Sequence, residues 1–170
     1  MIIYKQEIME TKDNLSKGKL EYNKFRVRGH IKSFRDLEIY TQTTEYSSHI
    51  FALELPAKIK NKSRLEDELE ILRDLAKQVP RLIAEAYGAK FVSKEIAYAK
   101  LETAAQYMSN VIAKIDFFLV AVDHEETKQL LRKLIDQYQT QRRKTLNLKR
   151  AWIKIEDKFA QHDNNYKPHE

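Results

Sequence analysis

Between residues 63 and 88 the apolar positions Leu65, Leu69, Leu72, Ala76, Val79, Ile83 and Ala86 follow one another in steps of four and three, with Glu66, Asp67, Glu70, Arg73, Asp74 and Lys77 between them. That spacing puts the apolar side chains on one stripe of a helix and the charges on its flanks. A lone helix cannot bury such a stripe, so partners are required. The same rhythm predicts them. A first helix starts at Ser33, whose hydroxyl can cap the opening turn with Asp36 three residues on. Its stripe is Phe34, Leu37, Thr41, Thr44, Ser48, Phe51 and Leu55, widened by Ile39, Tyr40, Ile50 and Leu53, and Pro56 stops it. A third helix runs over 93–122 with Leu101, Ala104, Met108, Val111, Ile115, Phe118 and Val122 in phase, and is slim because of its alanines. The fourth carries Leu131, Leu134, Tyr138, Gln141, Thr145, Leu148, Trp152, Ile155 and Phe159.

Local signals fix the ends. Ser63 and Glu66 have the spacing of a capping box, and Gly88 suits a left-handed helix end. Pro80, inside the second helix, removes one backbone hydrogen bond and predicts a kink or local opening there. Asp123-His124 is so short a connection that the third and fourth helices must pack antiparallel, with Asp123 and Glu126 at the helix start. Gln141 and Thr145 on the fourth stripe, among Gln137, Gln139, Thr140, Arg142 and Arg143, predict a seam that meets water or a partner, or a helix projecting from the bundle there. The expected fold is all-α: an antiparallel up-and-down four-helix bundle over 33–160, an N-terminal basic arm over 1–32 and a flexible tail over 161–170.

Composition narrows the class. The 170 residues include three Gly, three Pro and no Cys, which favours long helices, leaves no phosphate-cradling glycine loop and removes disulfides, thiol catalysis and cysteine metal sites. His30, His49, His124, His162 and His169 lack metal-ligand spacing, and His124-Glu125-Glu126 is a charged first turn. No metal, no cofactor and no catalytic residue is expected, and the chain is read as a non-enzyme. Glu85, beside the stripe, is expected to bond a neighbouring helix or subunit; a small-ligand enzyme would require a polar pocket around it. No run is apolar enough to span a bilayer, which predicts no membrane partner and a cytoplasmic location.

The net charge of +6 is unevenly spread. Arg142, Arg143, Lys144, Lys149, Arg150 and Lys154 face few acids in sequence, and Arg26 and Arg28 alternate with apolar residues in the arm. Cations on successive turns can follow phosphates and release counterions, so these eight are the candidates for contact with RNA or DNA. The competing reading is a protein-interaction or structural module whose cations meet an acidic partner or the acidic run 66–70 of a neighbouring subunit.

Two segments add a resemblance. Phe34-Arg35-Asp36-Leu37-Glu38-Ile39-Tyr40 is similar to the opening signature, and Val79-Pro80-Arg81-Leu82-Ile83-Ala84-Glu85-Ala86-Tyr87-Gly88 to the Pro-x-x-Ile-Ala-Glu-Gly-Tyr-Gly segment, of the four-helix-bundle family encoded in intervening sequences of bacterial large-subunit ribosomal RNA genes. Through that family the chain resembles the accessory variability determinant (Avd) proteins of diversity-generating retroelements. It departs from the first branch at Ala86, which stands where that branch has Gly, at Ala105-Gln106, and in its long arm and fourth helix. The Avd resemblance implies a homo-oligomer, a ring of five, that binds a reverse transcriptase and its RNA.

Overall fold

The computed structural model describes residues 31–57 and 59–164, with side chains as far as residue 157. Among them are four α-helices and no strand: α1 Glu38–Phe51, α2 Lys62–Ala89, α3 Lys94–Ala121 and α4 Glu125–Asn164. Contacts between neighbours run in opposite directions throughout. Ser47 and Leu53 of the first helix and its loop bond Ala76 and Arg73 of α2; Glu68 and Glu85 of α2 pair with Lys114 and Lys100 of α3. Glu102 and Lys94 of α3 pair with Lys149 and Glu156 of α4, and Glu38 and Ser47 of α1 lie by Lys144 and Tyr138. The bundle is therefore up-and-down and antiparallel.

The stripes of α2 and α3 are buried at every position named from the sequence. That of α1 is not. Ser33 and Asp36 do form a capping box, but on a single 3-10 turn, Phe34–Asp36, after which Leu37 is extended and the α-helix begins afresh at Glu38. The break resets the phase: Ile39, Thr43, Tyr46, Ser47 and Ile50 are buried, while Thr41, Thr44, Ser48 and Phe51 are exposed. The helix also ends at Phe51, short of Leu55, and the Leu53 carbonyl accepts from Arg73 Nη2 at 2.8 Å.

Other end signals shift as well. Asn61, in the left-handed region at φ 56°, precedes α2, so Ser63 is already inside the helix and Glu66 pairs with Lys62 at 3.7 Å. Asn tolerates that conformation better than most residues. Gly88 is helical and α2 continues to Ala89. At the start of α4 it is His124 whose Nδ1 receives the Thr127 amide, at 3.4 Å, while Asp123 pairs with Lys128. The backbone of α4 stays helical to Asn164, past the expected boundary at 160.

α2 passes through Pro80 without ending, and a neighbour compensates. A proline has no amide to offer the carbonyl four residues back, which is that of Ala76; Ser47 Oγ lies 2.8 Å from this oxygen and 2.7 Å from the Thr43 carbonyl. Tyr138, fully buried on α4, sits 3.4 Å from the same hydroxyl. Burial first, opposed in part by that bond, pushes the Tyr138 phenol up to about 12, so it keeps its proton and can donate to Ser47.

The polar middle of α4 lies inside the bundle, contrary to the expected wet seam. Gln141 is 3% exposed and Thr145 fully buried, with Thr145 Oγ1 donating to the Gln141 carbonyl at 2.9 Å. What outruns the bundle is the end of the helix: Glu156 is already level with Lys94, the first residue of α3. Beyond the reach of α1 a second, smaller core joins Ala86, Ala97 and Leu101 to Trp152.

Candidate nucleic-acid interface on the fourth helix

The inward stripe of α4 leaves an opposite, outward one three to four residues apart: Arg132, Asp136, Gln139, Arg143, Asn147, Arg150 and Lys154, all exposed. From Arg143 to Arg150 is roughly 10 Å along the axis and on to Lys154 roughly 6 Å, at 1.5 Å per residue. None of these three cations has an ion-pair partner among the described residues; Arg150 donates to Asn147 at 3.1 Å. Arg142 sits a step around the helix, in a groove of about 680 Å³ between α3 and α4 that also takes in Arg143, Gln139, Ser109 and Asp116.

The other sequence candidates are elsewhere. Lys144 points along the α1 side and binds Glu38 at 2.5 Å. Lys149 points along the α3 side and binds Glu102. Both act as clamps between helices, and their charge is matched on the spot. The fold thus brings Arg143, Arg150 and Lys154 together, places Arg142 beside them, and turns Lys144 and Lys149 away. Arg26 and Arg28 lie outside the described residues.

Glu85 has two cationic partners, Lys100 at 2.6 Å and Arg81 at 2.8 Å. Those bonds, Lys100's the larger, hold its carboxyl below the usual range. It lines neither the α3–α4 groove nor a second one of about 600 Å³ formed by Pro56, Ile59, Lys60, Ala121, Asp123 and His124. Tyr98 donates to Glu156, and burial together with that acceptor pushes its phenol up. Among the described residues no group of three or more His, Asp or Glu is placed to hold a metal ion, and no helix is long and apolar enough to cross a membrane.

One surface escaped the sequence reading. Along the outward midline of α3, Ile96, Ala99, Gln106, Asn110, Phe117 and Val120 are exposed and uncharged, with the exposed acids Glu102 and Asp116 at its edges. The signal was there as a second three-four stripe, hidden because the first one already accounted for the helix. Comparison of the chain with protein-family models, with curated proteins and with solved structures finds no match.

Proposed function

We propose that the protein is a non-catalytic, oligomeric nucleic-acid-binding protein of the cytoplasm that engages the phosphate backbone of RNA or DNA through the outer face of α4. One observation carries this reading: Arg143, Arg150 and Lys154 stand exposed in a row without a carboxylate partner among the described residues, whereas Lys144 and Lys149 beside them are matched by Glu38 and Glu102. Unmatched cations on a rigid helix attract polyanions through counterion release and read charge and shape, not base sequence. Repetition of the row in an oligomer multiplies a modest single-chain affinity. The resemblance of residues 34–40 and 79–88 to the Avd proteins extends the proposal to a homopentamer that serves as the accessory subunit of a retroelement reverse transcriptase and its RNA.

The test is binding of a structured RNA across a salt series by the wild-type chain and by Arg143→Glu/Arg150→Glu/Lys154→Glu. Loss of three phosphate contacts should weaken binding and flatten the dependence of log K on log salt by about two units. Equal affinity and equal salt slope in the two proteins would remove the site.

A further inference from the structure

We propose that the outer face of α3 is a self-docking surface, on which a second copy of this chain lays its own α3 antiparallel about a two-fold axis level with Met108. The outward stripe of α2 is charged at Asp67, Glu70, Asp74, Lys77 and Arg81, and that of α4 at Arg132, Asp136, Arg143, Arg150 and Lys154; the corresponding stripe of α3 has no charge between Ile96 and Val120. Ile96 is 51% exposed, Phe117 48% and Val120 88%. A helix whose outward stripe is uncharged, with the exposed acids Glu102 and Asp116 only at its edges, is the kind that another protein covers.

The order of side chains says which protein. A two-fold axis at Met108 carries each position onto one equally far beyond it. Ile96 then meets Val120, two branched aliphatics; Ala99 meets Phe117, a small residue opposite a large ring; and Gln106 meets Asn110, amide opposite amide. Within one chain Gln106 Nε2 already donates to Asn110 Oδ1 at 3.2 Å, which leaves Gln106 Oε1 to accept and Asn110 Nδ2 to donate across the axis. Ala113 and Thr103, which also meet, are small enough for close approach of the helices. The surface is thus complementary to itself in one antiparallel register, as a two-fold contact demands.

Size sets its strength. A seam of roughly 36 Å by about 10 Å is below the roughly 800 Å² per partner of a standard interface, so the association is weak and changes with concentration. It is separate from the nucleic-acid reading, since the outer face of α4 takes no part. A two-fold contact cannot close a five-membered ring; it pairs two chains, or two rings.

The experiment is sedimentation velocity of the full chain, freed of nucleic acid, over a concentration series. Wild type should gain mass with concentration, and Gln106→Glu/Asn110→Glu, exposed positions that Glu fills without loss of helix, should show half the wild-type mass at the top of the series. Equal masses for the two proteins overturn the proposal. Because the chain has no native Cys, register is read directly: under oxidation Ile96→Cys/Val120→Cys should give a covalent dimer and Ile96→Cys alone should not. Crosslinking of the single variant overturns the antiparallel arrangement. The α4 reversals should leave the mass unchanged, so failure of one reading is not failure of the other.

Discussion

Two levels of the same bundle are built in different ways. At the level of Tyr138 four helices surround the interior, and its contents include hydroxyls: Thr43, Ser47 and Tyr138 are all buried, with Ser47 placed to serve the carbonyl that Pro80 strands. At the level of Trp152, past the start of α1, three of the described helices remain, and a single indole packs against Ala86, Ala97 and Leu101 with Lys90 Nζ 4.6 Å from its ring centre. The first level is held in part by direction, the second by volume. α4 passes through both, so the rod that carries the outward cations is fixed by hydrogen bonds at its middle and by one large apolar side chain near its far end.

Removal of that side chain should have the largest effect. Trp152→Ala empties a site 6% exposed and should cost about 3–5 kcal/mol, measured by denaturant unfolding. Trp152→Phe should recover much of it. If Trp152→Ala were nearly neutral, the far level would not be an independent core.

At the other level, Ser47→Ala should cost about 1–3 kcal/mol, because a buried carbonyl loses its donor. The cause is testable through its partner. Pro80→Ala supplies an amide four residues after Ala76, so in that background Ser47→Ala should cost less, by about 1 kcal/mol in a double-mutant cycle. Independent effects would mean that Ser47 matters only within its own helix.

Tyr138→Phe should be milder, about 0.5–1.5 kcal/mol for one hydrogen bond, but it has a signature in pH. The folded-state phenol titrates near 12 against 10.0 for the ordinary group. A proton held more tightly when folded stabilises the protein fully below pH 10, and that contribution is lost as pH rises from 10 towards 12. Wild-type stability should therefore fall through this window more steeply than that of Tyr138→Phe. Parallel curves would show that the hydroxyl is not shielded from water.

These levels also show what a sequence can disclose. The stripes of α2 and α3 were legible residue by residue, since their Leu, Ile, Val and Ala spacing runs unbroken over long helices. In α1 the buried face is part hydroxyl, and Thr43 and Ser47 are no more apolar by type than the exposed Thr44 and Ser48; only the break at Leu37, which is a matter of backbone, selects between them. Gln141 and Thr145 were correctly placed on the stripe, but spacing cannot say what lies opposite, and they face the interior. The cations of α4 were equally plain as a run. Which of them are neutralised was not, because Glu38 and Glu102, the partners of Lys144 and Lys149, are remote in sequence.

The smallest effect on stability is expected where the effect on binding is largest. Arg143, Arg150 and Lys154 are exposed and make no ion pair among the described residues, so reversing all three deletes no packing, and each change should stay within about 0.5 kcal/mol. Arg150→Glu loses only the bond to Asn147. Lys149→Glu is the matched control. It reverses a charge one position away but sets it against Glu102, so it should destabilise the α3–α4 contact while leaving the outward row intact. The two proteins should thus separate in opposite senses: the triple variant keeps its unfolding midpoint and loses RNA, and Lys149→Glu loses stability and keeps RNA at temperatures where it is folded. Should both variants lose RNA equally, net charge and not the row on the outer face of α4 would be what the polyanion senses.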